Sequence, residues 1–212
     1  MQRTSPSRPV LTSTAITAAL LVAVAAAPLS AAATSPGGSA RRPPLFPVAE
    51  LSARRIATGD LVAAAKWGTG SPVDDPAREQ RVLDSVAEQA RRLGADPRLT
   101  RLVFRDQIEA NKAVQRGLHR LWRDRPSEAP TERPGLDEVR KEVDHLNKAL
   151  VRAVADAAPY RRSAPLCRVA LAASAEGVSH ERRLDELHAA ALADSLTSVC
   201  GASTGAPDKR GV

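Results

Sequence analysis

Arg55 and Lys66 stand eleven residues apart, close to three turns of an α-helix, so an unbroken helix presents both cations from one face. In a later segment, Arg78 falls four residues before Val82 and therefore on the side that Val82 buries, with Glu79 beside it. The pair Asp75-Pro76 just before them reads as an N-cap followed by a first helical residue, so free N–H groups and the positive end of a helix dipole gather there. That combination favours an anion. A third segment, FRDQIEANKAVQRGLHRLW from Phe104 to Trp122, carries an apolar stripe at Phe104, Ile108, Leu118 and Trp122. Asn111 and Gln115 fall on that stripe, with Gln107 one turn before them. A buried amide without a partner costs about 1–3 kcal/mol, so something must satisfy these groups. Arg140 lies at the edge of the apolar stripe of yet another segment. Cations and amides converging from separate helices would hold a small molecule with more than one carboxylate.

Singly, each of these residues has a plainer reading. An arginine near an apolar stripe packs its stem and keeps its head in water, and stripe amides often form a satisfied core network. Their accumulation on separate helices favours the pocket, and spacing alone leaves its ligand unnamed.

The elements that must position these groups are all helical. Apolar positions recur with helical spacing from Val48 to Trp67, with Thr58-Gly59-Asp60 a place where the helix could bend or restart. The helix begun at Asp75-Pro76 has the stripe Val82, Leu83, Val86, Ala90 and Leu93 and stops at Gly94. Asp96-Pro97 starts the next, which Pro126 ends ahead of the loop PSEAPTERP. A fourth runs from about Leu136 to Ala158, and Pro159 and Pro165 bracket a turn. A short helix over Cys167 to Ala175 is expected next, set off by Gly177 and Ser179 from a last helix over about His180 to Cys200. The expected fold is all-α, one bundle of five to six helices over residues 48–201 with no sheet.

The first 33 residues read as a signal peptide: Arg3 and Arg8, the run AITAALLVAVAAA, then small residues suited to cleavage. The apolar run is short for a bilayer span, and a retained N-terminal anchor is the alternative. Residues 34–47 read as a disordered lead-in and 202–212 as a flexible tail. Cleavage removes two arginines and no acids, taking the net charge from +7 to about +5. Basic residues are scattered among acids rather than gathered or interleaved with aromatics, so a nucleic-acid partner has weak support. In an exported chain the only two cysteines, Cys167 and Cys200, are first read as a disulfide, with two buried free thiols the alternative. No Cys or His spacing indicates a metal site, and His119, His145, His180 and His188 are spread out.

The run AAAKWGTGSPVDDPAREQRVLD, followed by FRDQIEANKAVQ and LDEVRKEVDHLN, resembles the secreted, all-helical chorismate mutases of the AroQ class, gamma subclass. The resemblance spans about Leu51 to Cys200 and includes the late cysteine pair. It implies conversion of chorismate to prephenate without a cofactor, in a homodimer located in the cell envelope or outside it. By the resemblance, Arg55 and Arg140 hold one substrate carboxylate and Arg78 the other. Lys66 and Gln115 face the ether oxygen, a place where some relatives carry Glu instead of Gln115. Glu79 matches a residue that bonds the substrate hydroxyl, and Asp75 matches the aspartate at that end of the pocket. Asn111 stands where relatives carry Ser or Thr beside a carboxylate, and Val82 replaces a Gln found in some secreted relatives. On this view Asn111 and Gln115 sit on a buried stripe because the stripe lines the pocket, where substrate or water satisfies them. The rival reading is a secreted binding protein of the same fold that has lost catalysis.

Overall fold

The computed structural model describes residues 42–201, and the signal-peptide reading of 1–33 and the tail at 202–212 lie outside them. Six α-helices follow in order: α1 Phe46–Lys66, α2 Pro76–Arg92, α3 Pro97–Asp124, α4 Leu136–Asp156, α5 Ala164–Arg182 and α6 Glu186–Ser195. Short 3-10 turns at Pro126–Glu128 and Ala158–Arg162 flank α4, and no strand occurs among the described residues.

The start signals act as the sequence predicts. Asp75 Oδ1 accepts from the Arg78 N–H at 3.0 Å and Asp96 Oδ1 from that of Arg98 at 2.8 Å, so orphan donors at both helix starts are satisfied. α3, 28 residues long, is the spine of the bundle, and α1, α2 and α6 pack along it. Phe104, Val103 and Val114 of α3, Ile56 of α1, Leu150 of α4 and Leu192 of α6 meet in the core. A smaller cluster at one end joins Trp67, Trp122 and His119, whose rings lie 5.4–5.7 Å apart.

Three expectations need correction. Residues 45–47 do not belong to a lead-in: Leu45 is fully buried and Phe46 opens α1, because their apolar side chains complete the core. Gly59 neither bends nor restarts α1. It permits close approach, since a Cβ there would stand 3.2 Å from Val114 Cγ1 and 3.3 Å from Asn111 Nδ2. Gly177 and Ser179 do not separate two helices, and α5 runs through both. A helical glycine costs only about 1 kcal/mol, which the burial of Leu171, Ser174 and Val178 outweighs. The break comes at Arg183, in the left-handed region at φ 51°, and Asp185 then caps α6. α6 ends at Ser195, and turns carry the chain on to Cys200. Cys200 is bonded to Cys167 of α5, with Cα atoms 5.7 Å apart, so the segment after α6 is tied back onto the bundle.

Candidate functional site

A single cleft between α1, α2, α3 and α4 is lined by all eight residues singled out from the sequence for binding or catalysis: Arg55, Lys66, Asp75, Arg78, Glu79, Asn111, Gln115 and Arg140. Val62, Val73, Val82, Ile108, Leu136 and Val143 supply its apolar wall. The unbroken α1 places Arg55 and Lys66 on one face as the eleven-residue spacing requires.

Arg55 is 4 % exposed and locked in place. Its Nε donates to Asn147 Oδ1 at 2.8 Å and its Nη1 to the Gln107 carbonyl at 2.8 Å. Burial, with help from the Arg78 charge, lowers its pKa to about 10, opposed by Asp144, and the group stays cationic at neutral pH. Lys66 donates to the Val73 carbonyl at 3.0 Å, which hooks the loop before α2 onto α1. Burial lowers its pKa, Asp75 raises it and Arg140 lowers it.

The remaining lining cations have carboxylate partners. Arg78 is 3.5 Å from Asp144, and Arg140 is 3.0 Å from Asp137. Lys112, which sequence reasoning passed over, meets Asp74 at 3.0 Å, Glu79 at 3.2 Å and Glu109 at 2.7 Å. Burial opposes its charge, yet the three carboxylates together raise its pKa. The signal was present: Lys112 lies four residues after Ile108 and three before Gln115, on the cleft side of α3. Its effect is to fix Glu79, whose Oε1 also accepts from the Asp75 N–H at 3.3 Å. Arg55 and Lys66 are thus the two lining cations without a carboxylate within 4.0 Å among the described residues. Their charge is available to an anion.

The amides separate into two kinds. Gln107 is fully buried and belongs to the core, where its Nε2 donates to Ser52 Oγ at 2.7 Å and to the Ser195 carbonyl at 3.1 Å. Asn111 lines the cleft but is satisfied by protein, which corrects the expectation that substrate or water would do this. Its Nδ2 donates to the Arg55 carbonyl at 3.0 Å, and its Oδ1 accepts from Gln115 Nε2 at 2.8 Å. The buried Oε1 of Gln115 has no protein partner, as is also true of Gln107 Oε1; what sets Gln115 apart is its place in the cleft lining and its second N–H, which no protein group accepts. Asn147, the last residue of the run LDEVRKEVDHLN, is the other residue to which the sequence assigned no role, and its Oδ1 accepts from Arg55.

Among the described residues no group of three or more metal-ligating side chains occurs, and no helix is long and apolar enough to cross a membrane. The sequence profile of the family Chorismate mutase type II matches residues 48–116, which include seven of the eight cleft residues, Arg140 lying beyond it. A secreted chorismate mutase of Mycolicibacterium smegmatis is 36 % identical over 157 residues, 74 % of this chain and 86 % of the relative. One from Mycobacterium tuberculosis is 30 % identical over 195 residues, 92 % of this chain and 96 % of the relative. The crystal structure of a chorismate mutase from Burkholderia phymatum superposes with a TM-score of 0.70 at 35 % identity, covering 75 % of this chain and 97 % of that one. With cations and amides gathered in one cleft of an all-helical bundle, and relatives of this identity over most of its length, the chain belongs to the chorismate mutase type II family.

Proposed function

We propose that this protein is an exported chorismate mutase, rearranging chorismate to prephenate in the cleft formed by α1, α2, α3 and α4. The observation that carries the reading is the pair Arg55 and Lys66, cations on one helix face with neutral protein partners, opening on a cleft with an apolar wall. The named relatives support the reaction and the export, and the N-terminal run of the sequence agrees with export.

The reaction is an intramolecular pericyclic rearrangement, so it needs no nucleophile, general base or metal from the protein. It needs the flexible dianion folded into a chair-like shape. Arg55 and Arg140 hold one carboxylate and Arg78 the other, which removes rotational freedom before the barrier is climbed. The ether bond breaks ahead of carbon–carbon bond making, so negative charge grows on the ether oxygen. Lys66 and Gln115 meet that charge with donors already in place, in surroundings where the field of a cation is strong. Glu79, held by Lys112, receives the substrate hydroxyl, with Asp75 at the same end. An acceleration of about a million-fold requires about 8 kcal/mol, and a single such donor contributes about 2.7–4 kcal/mol. Two donors with preorganisation reach that total. All eight groups come from one chain.

Nuclear magnetic resonance of a chorismate solution incubated with protein beginning near Thr34 tests the reading. Prephenate is the expected product. Chorismate that binds but persists would replace the enzyme with a binding protein of the same fold.

A further inference from the structure

The direction of the Gln115 amide is set from another helix. The Arg55 carbonyl can only accept, so the Asn111 atom 3.0 Å from it is the amide nitrogen, and the Asn111 oxygen must face the other way. Thr58 reinforces this polarity: its hydroxyl donates to the same carbonyl at 2.6 Å and stands 3.3 Å from Asn111 Nδ2. The Asn111 oxygen then meets Gln115 at 2.8 Å, and only a nitrogen suits that place. A backbone carbonyl of α1 therefore dictates, through Asn111, which end of Gln115 points where. Both of Asn111's N–H groups are spent on α1, so none is left for a substrate carboxylate. Gln115 retains one N–H and an unpartnered oxygen, and it is 4 % exposed.

We propose that Asn111 is a positioning residue for the rearrangement: it holds the Gln115 amide with one N–H engaged, leaving the second as a standing donor to the cleft. The inference rests on the reading of the cleft as the site of chorismate rearrangement. Gly59 is part of the same device. A Cβ there would lie 3.2 Å from Val114 Cγ1 and 3.3 Å from both Asn111 Nδ2 and the Asn111 carbonyl, so the bare glycine lets α3 pack close enough to α1 for Asn111 to reach the Arg55 carbonyl.

The test measures kcat and KM for chorismate with wild type, Asn111→Ala, Asn111→Leu, Gln115→Ala, the double variant Asn111→Ala/Gln115→Ala, and Gly59→Ala. Loss of an ordered donor predicts about 10- to 100-fold lower kcat for both Asn111 variants, with KM little changed. The double variant is expected to be no slower than Gln115→Ala, because Asn111 acts only through Gln115. Gly59→Ala, which alters no group of the cleft, is expected to lower kcat while the protein stays folded, and it serves should the Asn111 variants fail to fold. A rise in KM at constant kcat in the Asn111 variants would place Asn111 on the substrate instead. Multiplying losses in the double variant, or full kcat in Gly59→Ala, would also overturn the relay. An inactive wild type would instead overturn the reading of the cleft itself.

Discussion

Gln115 has no ionisable proton, so it donates at any pH at which the fold survives. The catalytic efficiency is accordingly expected to be level between about pH 5 and 7.5, outside the ranges in which lysine and arginine titrate. Gln115→Glu should make activity rise toward acid, because a glutamate must be protonated before it can donate. A steep acid preference of the wild type in a pH profile of kcat/KM would contradict this role. On the alkaline side Lys66 is the group to watch: burial first, and Arg140 after it, depress its pKa. Its loss of charge should therefore begin below the pH at which a free lysine deprotonates. At this scale the sequence was informative about place and less so about partners. Helical periodicity put Asn111 and Gln115 on a buried stripe, but whether an amide meets substrate or a neighbouring helix depends on what packs opposite. Gln107, a turn away and of the same type, is a core residue because Ser52 and the Ser195 carbonyl happen to face it. Lys112 was missed for a similar reason: Glu109 is its neighbour three residues back on α3, but Asp74 of a loop and Glu79 of α2 come beside it only on folding.

Helix starts were legible because their signal is local: Asp followed by Pro satisfies an orphan N–H and fixes φ wherever the helix sits. Gly94 was legible in the same way, a left-handed residue just past the end of α2, but the glycines inside helices were not, because their meaning lies in the packing. Gly59 marks a close crossing of α1 and α3, whereas Gly177 is a tolerated interior residue whose Cβ would stand 4.0 Å from Phe46, an ordinary contact. Gly177→Ala is therefore expected to stabilise the protein by about 0.5–1 kcal/mol, read as a rise in denaturant midpoint with unchanged slope. The contact of α6 with α1 includes a titratable clamp, His188 between Asp60 at 2.9 Å and Asp185 at 2.7 Å. The bond to Asp60 is the main cause that raises the His188 pKa to about 9, against the opposing effect of burial. Because the folded value lies above the unfolded one of about 6.5, this stabilisation is complete below pH 6.5 and disappears as the pH rises through 9. Thermal scans should show wild type losing more Tm between about pH 6 and 10 than His188→Gln does, and parallel curves would exclude the clamp as a contributor.

Over the whole molecule, α1 to α4 build the cleft, while α5 and α6 close the core behind it and are secured by the Cys167–Cys200 bond. Closing a loop of this size is worth about 3.5–4 kcal/mol by the chain-entropy model, so reduction should lower the Tm markedly while leaving the cleft's own helices in place. The architecture was readable because amphipathic periodicity and Pro/Gly punctuation are properties of the chain alone. The start of the core was misjudged because Pro-rich composition at residues 43–47 concealed two side chains, Leu45 and Phe46, that the bundle buries. The chemistry turns on Lys66, a cation with no carboxylate within 4.0 Å among the described residues, facing a dianion. The most direct test is the ultraviolet decay of chorismate with wild type and Lys66→Ala, alongside thermal scans of both. If Lys66 stabilises the charge that grows on the ether oxygen, the variant stays folded, with no more than the small fall in Tm that loss of the Val73 bond brings, and loses about 100- to 1000-fold or more in kcat. A folded Lys66→Ala protein that turns chorismate over at the wild-type rate would contradict the account.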